Sequence, residues 1–424
     1  MLGGMTDDTR LSRELGLRDA VVVGLGSMLG AGVFAALGPA AAAAGSGLLV
    51  GLLLAAAIVY CNATSSAQLA AVYPESGGTY VYGQRRLGPF WGFLAGWGFV
   101  VGKLASCAAM ALTFGTYVAP GAARPLAVGA VAALTAANYR GVRKSAALTT
   151  VLVTVVITAL AVVVGAALTG GTVDAARLQP FTDTSARAVL QAAGLLFFAF
   201  AGYARIATLG EEVREPHRTI PRAIPLALGM VLVIYAAVAV AALLAAGPRV
   251  LADAPAPLAA VLEAGRWSAL VPVVRVGAAV ASLGVLLSLL VGVSRTTFAM
   301  AANGDAFGWL AAVHPRYRVP HHAELVVAAI VIGVVLVADV RGAIGFSSFA
   351  VLTYYAIANA AAWTQPAEHR RWPHALQVAG LAGCAVLAVS LPPASVLGGV
   401  AVLAAGGAWW LLRQRMSTPG GPSS

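Results

Sequence analysis

The sequence predicts an all-α integral membrane protein with about twelve transmembrane helices. Of its 424 residues, 60% are hydrophobic and only 10% are charged, and the mean hydropathy is +0.85. A soluble globular protein carries roughly 25% charged residues, so this chain has too few charges to cover a globular surface. The same composition excludes a disordered chain, a coiled coil and a secreted disulfide scaffold.

Twelve apolar segments follow one another along the chain, and 125–139 is the shortest. Each run is continuously apolar, whereas the strands of a membrane barrel alternate between apolar and polar residues. Helices are therefore expected, because they satisfy their backbone hydrogen bonds internally. We number the segments as spans 1 to 12: 19–43, 46–70, 90–118, 125–139, 146–170, 187–211, 221–246, 266–300, 323–340, 342–363, 374–391 and 395–412.

The basic residues predict the orientation. With the N-terminus inside, eighteen Lys and Arg residues lie on the inner side, six lie on the outer side and three lie within spans, which accounts for all 27. Cytoplasmic loops of membrane proteins carry this excess. We therefore expect a multi-pass protein of the cell membrane, with a cytoplasmic segment 1–18 and a cytoplasmic tail 413–424.

Other partners and chemistries find no support in the sequence. The net charge of +11 comes from short loops between spans and not from a nucleic-acid-binding face. Cys61, Cys107 and Cys384 lie in apolar runs and are expected to be small buried residues. The histidines show no metal-ligand spacing, and no nucleotide-binding loop occurs. We expect no metal and no cofactor, a lipid bilayer and a small solute as partners, and an undetermined oligomeric state.

Two spans are interrupted. Span 1 contains four glycines within Gly24–Gly32, and each weakens a helix by about 1 kcal/mol relative to alanine. Span 6 contains the run Phe197–Tyr203 and ends in a charged stretch. In transporters, paired helix breaks expose backbone N–H groups that favour an anion and carbonyl groups that favour a cation. The two breaks therefore suit a zwitterion, although close helix packing at the glycines and core packing of the phenylalanines remain alternatives.

Four stretches resemble the amino acid–polyamine–organocation (APC) permeases. The run GSMLGAGVF in span 1 is similar to their G-S/T-x-x-G-S/T-G-I/V-F signature. The resemblance continues through 73–97, 138–146 and 197–224, in the family's order and at about its spacing. Ala31 departs from the pattern, because the family often has serine or threonine there.

The resemblance implies a leucine-transporter-type fold with a five-plus-five inverted repeat. Spans 1–5, within 19–170, would form the first repeat, and spans 6–10, within 187–363, would form the second. The helices of 374–412 would be additions. The turn at 74–78 and the amphipathic helix after it would form a substrate gate.

The resemblance also implies the residues of the substrate site. Backbone N–H groups of the first break would bind a carboxylate, and carbonyl groups of the second break would bind an α-amino group. Phe198 would close over the substrate, and Phe200 is a second candidate gate residue. The expected ligands are Met28, Gly30, Ala31 and Gly32 in span 1, and Phe198, Ala199 and Ala201 in span 6.

Three basic residues lie within spans, where charges are costly and often functional. Lys103 lies one position beyond the place where some APC members carry an acid, and the lysine that those members carry in span 5 is missing from 152–157. Lys103 is therefore a candidate for ion coupling, and a snorkelling side chain is the alternative. Arg205 and Arg275 are expected in ion pairs, and Glu211 and Glu212 are among the candidate partners.

These observations predict a secondary active amino acid permease that works by alternating access, as a symporter or an antiporter driven by an H⁺ or Na⁺ gradient or by exchange. A neutral amino acid is favoured, because no acid lies in the middle of spans 3, 6, 8 or 10. A cationic amino acid, a polyamine or another organic amine remains an alternative substrate. A sensor that binds without transport is less favoured, and an enzyme is not expected.

Overall fold

The computed structural model describes residues 15–73, 77–141, 146–178, 184–207 and 213–417. This part of the chain is almost entirely helical, and its one β-type contact is an isolated parallel bridge between Leu15 and Val213. Sixteen α-helices form within it: α1 Leu17–Met28, α2 Ala31–Ala44, α3 Leu48–Val72, α4 Thr79–Leu87, α5 Pro89–Val118, α6 Ala123–Tyr139, α7 Ala146–Thr169, α8 Ala186–Phe200, α9 Ala204–Ala207, α10 Pro216–Asp253, α11 Pro257–Glu263, α12 Val271–Ala302, α13 His321–Val337, α14 Val340–Trp363, α15 His374–Ser390 and α16 Pro393–Ser417.

The helices correspond to the twelve predicted spans. Eight helical stretches are long and apolar enough to cross a membrane by length and composition, and α13 and α15 are shorter apolar helices. Span 1 is divided between α1 and α2, and span 6 is divided between α8 and α9. The predicted fold class, with broken first and sixth spans, is confirmed.

Helix packing follows a pattern of related pairs. Helix α5, which forms span 3, packs on α14, which forms span 10. Helix α12, which forms span 8, packs on α7, which forms span 5. In a five-plus-five repeat, each span corresponds to the one five positions away, so these two pairs are equivalents. The broken helices α2 and α8 also pack on each other, at the centre of this arrangement.

A buried polar cluster joins spans 2, 10 and 11. The side-chain amide of Asn359 on α14 donates to Asn62 Oδ1 on α3 at 2.6 Å, and Ser65 donates to Asn359 Oδ1 at 2.7 Å. Cys384 on α15 donates to Asn62 Oδ1 at 3.3 Å. All three cysteines are free and buried, as predicted. Because the bilayer offers these amides no water, their mutual bonds fix the position of α14 against α3.

The N-terminal part of α12 carries an ion pair. Arg275 donates to Glu263 Oε1 at 3.3 Å and to the Tyr117 carbonyl at 3.2 Å. The structure therefore gives Arg275 a different partner from the candidates taken from the sequence. Those candidates, Glu211 and Glu212, lie outside the described residues, and the predicted orientation puts them on the opposite side of the membrane from Glu263.

Candidate functional site

The two helix breaks lie against each other. Helix α1 ends at Met28 and α2 begins at Ala31, while α8 ends at Phe200 and continues into a 3-10 turn over Ala201–Tyr203. A Cβ atom placed on Gly32 would lie 2.7 Å from the Cα of Ala199. One placed on Gly202 would overlap the carbonyl of Ser27. The backbones of the two breaks are therefore in direct contact, and only residues without side chains permit it.

The first break presents a helix N-terminus inside the protein. Gly30 is the N-cap of α2 in an extended conformation, and no side chain caps it. The first N–H groups of a helix have no acceptor within that helix, and they carry a partial positive charge. Gly30, Ala31 and Gly32, three of the predicted carboxylate ligands, lie at this buried terminus. Met28, the fourth, is the last residue of α1.

The second break presents carbonyl groups. The Phe198 carbonyl accepts from the N–H of Ala201. The Ala199 carbonyl accepts from the Tyr235 hydroxyl at 3.0 Å, and the Ala201 carbonyl accepts from the Tyr355 hydroxyl at 3.3 Å. Each carbonyl oxygen has two lone pairs, so an ammonium group can bond beside the donor that is already present or can displace it. These are the carbonyl groups that the sequence predicts for an amino group.

Tyr235 on α10 contacts both breaks and was not predicted as a site residue. Its hydroxyl lies 2.5 Å from the Met28 carbonyl and 3.0 Å from the Ala199 carbonyl, and its ring packs edge-on against Phe200 at 5.0 Å. A phenol has one proton, so it donates to one of these carbonyls at a time. A tyrosine in an otherwise aliphatic span was the only sequence signal.

The two predicted gate residues have different surroundings. Phe200 is fully buried and is held by the ring of Tyr235. Phe198 is half-buried at the edge of the core. Of the two rings, that of Phe198 has more freedom to move over a bound solute.

A cavity of about 320 Å³ leads toward the breaks from the side that the charge bias assigns to the outside. Phe34 and Tyr117 form part of its lining; their rings lie 5.7 Å apart, and the Tyr117 hydroxyl donates to the Phe34 carbonyl at 3.0 Å. Phe34 lies three residues after Ala31, which is about 4.5 Å along α2. The cavity therefore ends within one helical turn of the α2 N-terminus.

On the side opposite this cavity, hydrogen bonds hold neighbouring elements together. Helix α4, which follows the turn at 74–78, is held by Tyr80, whose hydroxyl donates to Asp305 Oδ2 at 2.7 Å. Burial, followed by this bond to Asp305, raises the pKa of Tyr80 to about 12, so the phenol keeps its proton at neutral pH. The N–H of Arg214 donates to the Leu15 carbonyl at 2.9 Å. Residues 74–76 of the predicted gate lie outside the described residues.

Lys103 and Arg205, two of the charged residues within spans, have different surroundings. Lys103 is buried in the middle of α5, with its ammonium group 6.0 Å from the centroid of the Phe99 ring. Within the described ranges it forms no salt bridge with a carboxylate. Arg205 on α9 is exposed. An isolated buried ammonium group stays a candidate for a functional charge.

Comparison with known proteins identifies the family. A family model described as amino acid permease matches residues 19–389, which include both breaks. The chain belongs to the amino acid permease family. The resemblance to APC permeases is therefore confirmed, and the protein is an integral membrane transporter.

Relatives of this permease are named for different substrates or without a substrate. An uncharacterized transporter of Mycobacterium tuberculosis is 61% identical over 404 residues, which cover 95% of this chain and 92% of the relative. The branched-chain amino acid permease BcaP of Bacillus subtilis is 26% identical over 347 residues, covering 76% and 74%. The human cationic amino acid transporter 4 is 27% identical over 380 residues, covering 82% and 59%.

The contact at Gly32 gives a first prediction. We expect Gly32→Ala to lower amino acid binding at least tenfold, because the added methyl group must separate α2 from the backbone of Ala199. Gly165→Ala on α7 is the matched control, since a Cβ atom there has no neighbour within 4 Å. Binding of radiolabelled amino acids to both purified variants measures the difference. Equal affinities would place the substrate elsewhere.

The bonds of Tyr235 give a second prediction. We expect Tyr235→Phe to lower uptake about tenfold, because it leaves the Met28 and Ala199 carbonyls without their shared donor while keeping the ring against Phe200. Tyr60→Phe makes the same chemical change at an exposed position of α3 and should have no effect. Initial uptake rates in proteoliposomes, normalised to protein content, compare the two variants. An unchanged rate in Tyr235→Phe would contradict the role of this hydroxyl.

Proposed function

We propose that this permease is a secondary active transporter that moves a neutral amino acid across the cell membrane by alternating access. One observation carries the proposal: the uncapped N-terminus of α2 lies against the carbonyl groups at the end of α8. The two backbone ends offer donors to a carboxylate and acceptors to an ammonium group. Both groups are present in every α-amino acid, whatever its side chain.

The surroundings of the acidic side chains favour a neutral substrate. Glu324 accepts from Asn138 at 3.3 Å, and Asp339 caps α14 by accepting from the N–H of Gly342 at 2.7 Å. Neither acid lies at the breaks. Among the described residues, a cationic side chain at the breaks would therefore have carbonyl groups and water as partners, whereas Asp253 and Asp339 line the cavity beyond them. The branched-chain specificity in the name of the Bacillus subtilis relative agrees with a neutral substrate.

A cationic amino acid or another organic amine is the second candidate. The human relative is named for cationic amino acids, and the carbonyl groups at the end of α8 accept from any ammonium group. The two substrate classes differ in a direct test. A cationic substrate would be transported by a membrane potential alone, whereas a neutral substrate without a coupled ion would not.

Uptake of labelled amino acids into proteoliposomes, with each of the twenty as competitor, tests the proposal. We expect leucine, isoleucine, valine or other neutral amino acids to compete, and the methyl ester of the best competitor to compete at least tenfold less well, because it lacks the carboxylate. Inhibition by arginine and lysine only would support the cationic alternative. Binding of an amino acid without any uptake would support a sensor and contradict transport.

Lys103 gives the prediction on ion coupling. If its ammonium group carries the coupled proton, Lys103→Met should abolish accumulation driven by an imposed pH gradient and keep exchange of labelled for unlabelled substrate. Exchange needs only binding and gating, whereas accumulation needs a group that changes charge during the cycle. Substrate uptake and internal pH are followed together in liposomes.

Lys103→Arg is the matched control, because it keeps the charge but does not release a proton at neutral pH. It should behave as Lys103→Met does if proton release matters, and as wild type does if only the charge matters. Accumulation by Lys103→Met in a pH gradient would make the lysine structural. Accumulation by the wild type in a sodium gradient alone would assign coupling to Na⁺.

A further inference from the structure

Two consecutive tyrosines of α14 connect the candidate substrate site with the inner closure. The hydroxyl of Tyr355 donates to the Ala201 carbonyl at 3.3 Å, at the broken span 6. The hydroxyl of Tyr354 accepts from the N–H of Thr79 at 3.1 Å, at the first residue of α4. Neighbouring positions of a helix point about 100° apart, so one helix turn reaches both elements.

The rings of Tyr354 and Tyr355 are also in contact with each other. Tyr354 and Tyr355 lie edge to face with centroids 5.1 Å apart, and both are buried. Tyr355 also stacks on Tyr203 at 5.1 Å and meets Phe197 edge-on at 5.8 Å, on both sides of the span 6 break. A rotation of Tyr355 therefore displaces the ring of Tyr354, because close-packed aromatic rings leave no space to absorb it.

Helix α4 is short and is bounded by glycines at both ends. It has nine residues, and the glycines that flank it, Gly78 with φ 56° and Gly88 with φ 106°, have backbone conformations that other residues rarely adopt. Glycine changes between such conformations at low cost, so both ends can act as hinges. The bond from Thr79 to Tyr354 lies at the first hinge, where a small change in α14 has the largest effect on the helix.

The turn of α14 that follows the pair is fixed. Asn359, four residues after Tyr355, donates to the Tyr355 carbonyl at 2.9 Å while it bonds to Asn62 and Ser65 of α3. Gly380 on α15 leaves the space that this amide fills. Because the backbone of α14 is held here, a change at Ala201 is taken up by the tyrosine side chains rather than by a shift of the whole helix.

We propose that Tyr354 and Tyr355 couple occupancy of the Ala201 carbonyl to the docking of α4. The proposal rests on the proposed function, in which a substrate ammonium group binds the carbonyls of span 6. An ammonium group at Ala201 competes with the Tyr355 hydroxyl for the same oxygen. Release of Tyr355 then loosens the contact with Tyr354 and weakens its bond to Thr79, which favours undocking of α4 and opening of the inner side. Both tyrosines are positioning residues for this step.

Hydrogen exchange of the α4 amides tests the coupling. The protein is placed in lipid nanodiscs, and exchange of residues 79–87 is measured with and without a saturating mixture of the twenty proteinogenic amino acids. We expect the mixture to speed exchange at least threefold in the wild type. Tyr355→Phe should show the same exchange rate in both conditions while still binding amino acids, because its ring remains and only the competing hydroxyl is lost.

Tyr354→Phe tests the other end of the path. It should show fast exchange of α4 with and without amino acids, since the Thr79 N–H loses its acceptor. Thr79→Pro removes the same bond from the other side, and proline is tolerated at the first position of a helix, so the two variants should agree. Tyr60→Phe, at an exposed site, should respond as the wild type does.

The outcomes separate this inference from the proposed function. A wild-type protein that takes up amino acids but shows no change in α4 exchange would overturn the coupling and leave transport intact. A full response in Tyr355→Phe would also overturn it. Tyr235→Phe should bind amino acids more weakly yet keep the response at saturation, because it leaves the path through Tyr355 unchanged. A wild type that neither binds nor takes up any amino acid would contradict the proposed function itself.

Discussion

A helix that breaks inside a bilayer exposes backbone N–H and C=O groups where no lipid can bond to them, at a cost of several kcal/mol for each unsatisfied group. This permease meets the constraint by placing its two breaks in contact. The Tyr235 and Tyr355 hydroxyls bond to the carbonyl groups of span 6, whereas the N-terminus of α2 has no side-chain cap. These uncapped N–H groups are where the carboxylate of an amino acid is proposed to bind. The proposed carboxylate site is thus the part of the broken backbone that no side chain of the described residues caps.

Small residues make this contact possible. Gly32 meets the backbone of Ala199, and Gly202 meets the carbonyl of Ser27, so a methyl group at either glycine would separate the broken helices. Glycine also lowers the stability of a helix, which favours the break itself. The same glycines therefore interrupt the helix of span 1 and allow the interrupted segment to contact span 6. For this reason the glycines of span 1 serve close packing, and the same packing is what the proposed substrate site requires.

The sequence predicts the two breaks and the number of spans because both depend on local features, glycine content and hydropathy. It does not predict which side chains satisfy the breaks, because that depends on distances between segments far apart in the chain. Tyr235 is about 200 residues from Met28, and nothing in span 7 marks its hydroxyl as shared between two helices. The partner of Arg275 shows the same limit, since Glu263 lies on α11, a short helix that hydropathy does not distinguish from loop. Lys103 keeps its predicted role as a hypothesis, because a buried ammonium group beside Phe99 is compatible with coupling and with packing.

The side that the charge bias assigns to the cytoplasm is held by several separate bonds. Tyr80 to Asp305 and Thr79 to Tyr354 hold α4 to two different elements, and Arg214 to Leu15 is a third hydrogen bond. Asp305 also forms an ion pair with Arg413. Each neutral bond of this kind contributes about 1 kcal/mol, and a bond to a charged group contributes about 1.5–3 kcal/mol. Bonds of this free energy suit a transporter. A ligand shifts a conformational equilibrium only by its difference in affinity for the two states, and a hundredfold difference in affinity corresponds to about 2.7 kcal/mol. A closure made of one desolvated ion pair would exceed what substrate binding can reverse, whereas loss of one of these bonds lies within its reach.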